Sequence, residues 1–409
     1  MNIVLEPGAA ALLDELHRAG FGAYAVGGCV RDSLLGLAPH DWDLCTAARP
    51  GQVMELFGED RCIPTGLQHG TVTVKRDGKL YEITTFRTEG RYSDGRHPDS
   101  VAFVPDLRED LARRDFTINA MAYSAEEGLC DPFGGREDLA RGVVRAVGEP
   151  LRRFGEDALR ILRLYRFAAR FGFAIDEATE AAAKQLASHL DCVSAERIEE
   201  ELNKLLAAPQ PGAYLEPEVL AFVLPELPPE ELTKARRRID ALPAGTEQVS
   251  ARWAALLLPL GETGARKALK RLKCSNARID GAVALVRECG EKTPDALDKC
   301  DLCLQAKRLL GKYDLHTVRQ LTALWTALAP EEKASFDALR AEAEALTAQG
   351  VCCRISQLAV NGRDLMAAGA APGPGLRRVL EALLEEVITG RLPNEKAELL
   401  AFAARFSAS

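Results

Sequence analysis

The alternation of apolar and polar residues changes character partway along the chain. Up to about residue 148 it mixes strand and helix signals. Residues 22–28 (GAYAVGG) and 40–44 (HDWDL) read as short buried strands. Residues 71–86 (TVTVKRDGKLYEITTF) alternate on both sides of Asp77-Gly78, a dipeptide that strongly favours a two-residue hairpin turn. A sheet is therefore expected in this segment. From about 149 onward the period becomes helical, with Ala158, Ile161, Leu162, Tyr165, Ala168 and Ala169 spaced as one apolar stripe.

The helical part is punctuated. Ser194 ahead of AERIEEELNKLL reads as an N-cap, with acidic residues in the first turn and Lys204 near the end, as the helix dipole favours. Pro209 and Pro211 stop that helix, and further breaks fall at 224–231 (LPELPPEE) and 370–375 (AAPGPG). The expected class is α+β. A head of mixed sheet and helices over 1–148 precedes an all-helical neck over 149–210, a body over 211–330 and a tail over 331–409.

Composition narrows the class. With 409 residues, 47% apolar, 27% charged, 33 Gly and 21 Pro, the chain is neither collagen-like nor wholly disordered. It has no run of 18 apolar residues and no signal-peptide pattern at its start, which points to a cytoplasmic protein with no membrane contact. Its eleven cysteines are scattered and read as reduced thiols. Cys300-x-x-Cys303 lacks a second pair and Cys352-Cys353 cannot supply tetrahedral geometry alone, so zinc is not expected.

The net charge of −8 gives the protein as a whole no attraction for polyanions, but local charge differs. Six arginines crowd residues 151–173 against Glu156 and Asp157 only, and residues 265–278 hold six basic residues and no acidic one. Such runs are usually solvated helix faces. On an acidic chain they also suit a polyanion lying along one side. Arg266, Lys267, Lys270 and Arg271 are the candidate RNA contacts.

The sharpest constellation is Gly27-Gly28-Cys29-Val30-Arg31-Asp32 followed by Asp41-Trp42-Asp43. In a strand, positions 41 and 43 point to one side, and two neighbouring carboxylates repel unless a cation such as Mg²⁺ sits between them. A Gly-Gly turn lets backbone N–H groups approach phosphate oxygens. Glu82 on the next hairpin is a possible third carboxylate. Metal-dependent nucleotidyl transfer follows, although either motif alone is common. Two further clusters are 113–122 (RRDFTINAMA) and 156–163 (EDALRILR), where Asp157 and Arg160 would share a helix face; as a surface ion pair they contribute about 0.3 kcal/mol.

Together GGCVRD, DWD, EITTFR, RRDFTINAMAY, DPFGG, EDALRILR and SAERIEEEL occur in the order expected of class II tRNA nucleotidyltransferases, the CCA-adding enzymes, which the chain resembles over nearly its whole length. LAVNGRDLM and LPNEKAELL in the tail are also similar to that family. The resemblance implies a nucleotidyltransferase-fold head, metal ligands at Asp41 and Asp43, and phosphate or sugar contacts from Gly27, Gly28, Arg31, Arg114, Asp115 and Asn119. It implies that Asp157 and Arg160, with Arg163 beside them, read the base.

The implied substrates are CTP, ATP and a tRNA lacking all or part of its 3′ CCA; the oligomeric state is not legible. Residues 88–100 (TEGRYSDGRHPDS) resemble a loop that members adding only the two cytidines lack, which favours full CCA addition or A addition. An enzyme adding one base type alone, or a related poly(A) polymerase, stays an alternative. The stretch Arg252–Leu257 runs into Leu258-Pro259-Leu260 without the histidine and aspartate of an appended phosphohydrolase domain, so a second hydrolytic metal site is not expected there.

Overall fold

The computed structural model describes residues 3–90, 101–290, 302–369 and 371–406. The chain divides into two compact units: residues 1–229 with 271–273, and 230–270 with 274–409.

The first unit opens with helix α1 (Pro7–Arg18), whose Leu12, Leu13 and Leu16 are buried. Strand β1 (Ala23–Val26), α2 (Gly28–Leu34), β2 (Leu44–Thr46), α3 (Pro50–Phe57), β3 (Cys62–Gly66), β4 (Thr71–Arg76) and β5 (Lys79–Thr85) follow. Next come β6 (Arg87–Glu89), β7 (Val101–Phe103), α4 (Leu107–Ala112), β8 (Ala122–Ser124) and β9 (Gly128–Cys130). Seven strands form one sheet in the order β3-β4-β5-β2-β1-β8-β9. Only β2 and β5 run parallel in it. The hairpin forms where the sequence placed it: Asp77 and Gly78 both adopt positive φ, 50° and 76°, as a two-residue turn matched to strand twist requires. Its core joins Tyr24, Val26, Cys45, Phe86, Leu111 and Val147.

One strand is shorter than expected. HDWDL becomes strand only at Leu44, and Asp41 to Asp43 lie just ahead of it. Aspartate disfavours strand, and here the two carboxylates stay in solvent. The ladder still reaches one residue further, because the Val26 amide donates to the Asp43 carbonyl at 3.0 Å.

Beyond the sheet the unit continues through α5 (Gly135–Arg141), β10 (Val143–Val144), α6 (Pro150–Glu156), α7 (Leu159–Phe171), β11 (Ala174–Ile175), α8 (Glu177–Gln185), α9 (Ala195–Leu206) and α10 (Pro217–Val223). The predicted stripe is buried on α7, but so are Leu159, Arg160, Leu164, Arg166 and Phe167, so this helix is covered on nearly every side. Ser194 sits at the N-cap of α9 with extended backbone, yet its side chain makes no capping bond.

The second unit is helical: α11 (Pro229–Asp240), α12 (Val249–Leu257), α13 (Gly261–Arg271), α14 (Asn276–Gly290), α15 (Leu302–Lys312), α16 (Leu315–Leu328), α17 (Lys333–Ala348), α18 (Gly362–Ala367), α19 (Pro374–Ile388) and α20 (Lys396–Phe406). Trp253 on α12 is fully buried. A separate apolar cluster near the C-terminal end joins Leu358, Val360, Leu365, Leu383 and Leu399. No described helix is long and apolar enough to cross a membrane.

Candidate active site

The sheet sets two of the three predicted carboxylates side by side, with Asp41 two residues ahead of Asp43. Leu44 pairs in parallel with Ile83, so Asp43 stands beside Glu82 one step back along the two strands. Asp43 and Asp41 are exposed at the surface. The surrounding protein nevertheless pushes the Asp43 carboxyl above its usual range, first by desolvation, then by the charges of Glu82 and Asp41, while Arg114 acts in the opposite sense. A carboxylate both reachable by solvent and partly desolvated is what a cleft floor provides. Among the described residues no group of three or more His, Cys, Asp or Glu is clustered closely enough to hold a metal ion by itself. The donors present are hard oxygens in mutual repulsion, and a divalent cation relieves that repulsion, so the set fits one.

Gly27 is required by its φ of 78°, and Nη1 of Arg114 lies only 2.7 Å from where a Cβ would stand. Arg114 therefore lies against the Gly27-Gly28 turn while its charge is felt at Asp43.

Behind this turn runs a chain of buried polar groups. Arg31 Nη1 donates to Asn119 Oδ1 (2.5 Å), Asn119 Nδ2 donates to Asp115 Oδ1 (3.0 Å), and Arg163 donates to Asp115 Oδ2 through Nε and Nη2 (2.8 and 2.6 Å). Burial by itself would raise the Asp115 carboxyl, but the Arg163 charge and the bonds from Asn119 and Arg163 outweigh it and hold the group well below the usual carboxylate range. Arg31 also binds Asp32 (2.8 Å) and lies over the rings of Phe167 and Phe171. Four of the predicted nucleotide contacts are thus one internal relay joining α2 to α7. Arg31, 4% exposed, faces the protein and not an open cleft.

The expected pairing of Asp157 with Arg160 on one helix is not observed. The chain leaves helical geometry at Asp157 (φ −143°, ψ 105°), between α6 and α7. Asp157 Oδ1 accepts from the Leu159 amide (3.0 Å), a local side-chain bond that competes with continuing the helix, and Oδ2 accepts from Arg197 on α9 (2.9 Å). Arg160 is buried and donates to Glu156 Oε2 (2.9 Å) and to the carbonyls of Arg153 (3.0 Å) and Arg113 (3.1 Å). It is no surface residue.

Beside it opens a cavity of about 140 Å³ lined by Thr88, Glu109, Arg113, Arg152, Arg153 and Glu156. Glu156, Arg153 and Arg113 stand in the sequence only as members of charged runs with no role of their own, and Arg197 is not singled out there. The i, i+3 and i, i+4 spacing of Arg153, Glu156 and Arg160 could have shown the first two, whereas Arg197 lies 40 residues from its partner. Residues 91–100, most of the proposed A-addition loop, lie outside the described residues, as does Cys300.

Of the four basic residues expected to meet RNA, two are engaged within the protein. Arg266 pairs with Asp280 (3.0 Å), and Arg271 pairs with Glu226 (2.7 Å). Lys267 and Lys270 are exposed.

A sheet that sets acidic residues beside a glycine turn and hands on to arginine-rich helices defines a nucleotidyltransferase, and the matched families agree: residues 23–145 match the poly A polymerase head domain, 172–228 the probable RNA- and SrmB-binding site of polymerase A, and 245–403 the tRNA nucleotidyltransferase domain 2. Full-length relatives make this more particular. The CCA-adding enzyme of Limosilactobacillus fermentum is 38% identical over 405 residues, 95% of this chain and 94% of that one. That of Geobacillus stearothermophilus is 38% identical over 403 residues, covering 96% and 95%. The crystal structure of the Bacillus stearothermophilus CCA-adding enzyme in complex with CTP superposes with a TM-score of 0.81 at 34% identity, over 98% of both chains. The chain belongs to the CCA-adding enzyme family of tRNA nucleotidyltransferases, whose members generally use a divalent metal.

Proposed function

We propose that this protein adds the 3′-terminal CCA to tRNA, transferring CMP and AMP from CTP and ATP to the RNA 3′-hydroxyl with release of pyrophosphate and without a nucleic-acid template. Membership of the CCA-adding family across nearly the whole chain carries the reading. It favours full CCA addition over addition of one base type. Asp41 and Asp43, with Glu82 beside them, would hold Mg²⁺, which when bound eases deprotonation of the attacking hydroxyl and neutralises charge on the phosphates. Arg114, against the Gly27-Gly28 turn, adds positive charge where a triphosphate would lie.

Base choice falls to Asp157 and Arg160. Cytosine and adenine each present an exocyclic amine beside an unprotonated ring nitrogen, while uracil and guanine present the reverse. Arg160 uses three of its five N–H groups inside the protein, which leaves two donors, and each Asp157 oxygen keeps a lone pair beyond the bonds to Leu159 and Arg197. A carboxylate accepting from the amine and a guanidinium donating to the ring nitrogen fit C and A and mismatch U and G. Their places at a helix break and on the following turn permit this without any bond between them.

The division into head, neck, body and tail is kept as a proposal, with exposed Lys267 and Lys270 the better-placed tRNA contacts, and the cytoplasm is the proposed location. The test supplies each labelled nucleotide in turn to tRNAs ending before CCA, after one C and after CC. Stepwise addition of C, C and A is expected; addition of a single base type, or of an adenosine run, would overturn the reading.

A further inference from the structure

Asp110, on α4, is fully buried and sits among three groups that reach different parts of the site. Its Oδ1 accepts from Arg113 Nε at 2.9 Å and from the Arg87 amide at 3.3 Å, while Oδ2 lies 3.6 Å from Arg114 Nη2, an ion pair without a hydrogen bond. Arg87 begins β6, whose next residue, Thr88, lines the 140 Å³ cavity. Arg113 lines the same cavity, and its carbonyl accepts from Arg160. One buried carboxylate therefore fixes the arginine on one wall of the cavity and the root of the strand on another.

We infer that Asp110 is a positioning residue for nucleotide selection, holding Arg113 and the start of β6 in register with Arg160. A guanidinium fork directed by a buried acceptor keeps its remaining N–H groups in one plane; with that acceptor's charge removed, the fork loses its direction and the cavity wall it forms shifts. The inference rests on the proposed CCA-adding reaction, deepens it at the base-reading site, and predicts more than a loss of stability. A residue that only supports the fold would lower the melting temperature and leave the preference among nucleotides unchanged.

The experiment compares the parent, Asp110→Asn, Arg113→Gln, the double variant and Arg113→Lys, measuring kcat/KM for CTP and UTP on tRNA lacking CCA, KM for that tRNA, and thermal melting. Asp110→Asn is expected to reduce the preference for CTP over UTP by about tenfold or more, with KM for tRNA little changed. The double variant should match Arg113→Gln within about twofold, because asparagine still accepts from the Arg87 amide and what it loses, the charge facing Arg113, acts through Arg113. Unchanged preference in folded Asp110→Asn, or losses that multiply in the double variant, overturns the inference. Should Asp110→Asn fail to fold, Arg113→Lys decides: it keeps Asp110 and the charge but lacks the fork, and parent-like preference there overturns the inference equally. A parent that incorporates neither CMP nor AMP would sink the proposed function itself, a result distinct from either of these.

Discussion

Replacing Asp157 separates its two duties. Asp157→Ala removes the bond to the Leu159 amide, a cap-like interaction of about 1 kcal/mol, and the charged bond to Arg197, about 2 kcal/mol in a half-buried setting. The total is about 3 kcal/mol. Asp157→Asn keeps an acceptor for Leu159 and loses only the charge on Arg197, so about half that is expected. For a unit of this size 1 kcal/mol corresponds to about 2–4 °C in Tm, giving a fall of about 6–12 °C for Ala and about 3–6 °C for Asn. Selectivity should order the variants differently. The Asn amide can donate as well as accept, so it tolerates the carbonyl of uracil, and discrimination of CTP from UTP should drop about 10- to 100-fold, the equivalent of one mismatched buried hydrogen bond. Thermal melting and single-nucleotide incorporation with CTP and UTP measure the two effects. Equal melting of the Ala and Asn variants would refute the capping role, and parent-like discrimination by Asp157→Asn would refute the base contact. A reversal of polarity, Asp157→Arg with Arg160→Asp, is a poorer test, because it would set arginine against Arg197 and aspartate against Glu156.

Three further outcomes are expected. Asp43→Ala should abolish incorporation at saturating Mg²⁺ while leaving Tm unchanged or slightly raised, since it removes a carboxylate repelled by Glu82 and Asp41; retained turnover would dismiss Asp43 as a metal ligand. Asp115 is held below its ordinary value of 3.8, so its contribution to stability is present above that pH and is lost as pH falls towards the lower folded value. Arg163→Ala leaves burial unopposed by that charge and should move the midpoint of acid unfolding, followed by circular dichroism, to higher pH; an unmoved midpoint contradicts the pairing. Lys267→Ala with Lys270→Ala should weaken tRNA binding and flatten the slope of log K against log salt by about 1 to 2 units, and an identical slope would return this face to ordinary surface.

Local signals in the sequence were dependable where the chemistry is local. Asp77-Gly78 needed only its two positive φ angles to make a hairpin, and the stripe from Ala158 to Ala169 needed only its period. Glu82 is legible in the sequence only as a carboxylate on the next hairpin, and it is the parallel pairing of Leu44 with Ile83 that sets Asp43 beside it. Reasoning from local signals missed the break at Asp157, where Gly155 in the last turn of α6 is the one weak signal and the side chain's bond to the Leu159 amide lies beyond sequence pattern. It also treated Arg31, Asp115, Asn119 and Arg163 as separate contacts to a ligand. Only the bond from Asn119 to Asp115 is local, and the other two links span 48 and 88 residues, a distance at which one sequence carries no pairing signal. The buried arginines of α7 looked like a solvated face because charge alone does not show whether a carboxylate from another helix covers it, as Glu201 covers Arg166.

The relay from Arg31 through Asn119 and Asp115 to Arg163 has a consequence for the conditions under which the protein works. Dissolved ions largely screen exposed charges separated by more than about 8 Å at physiological strength and compete with exposed lysines for anions, but they scarcely reach groups enclosed by protein. Contacts made by exposed lysines such as Lys267 and Lys270 therefore weaken as salt rises, whereas the enclosed pairs of Arg31 with Asp32 and of Arg163 with Asp115 hold. On the proposed function, rising salt would slow the capture of tRNA before it disturbed the polar groups that tie α2 to α7 behind the glycine turn.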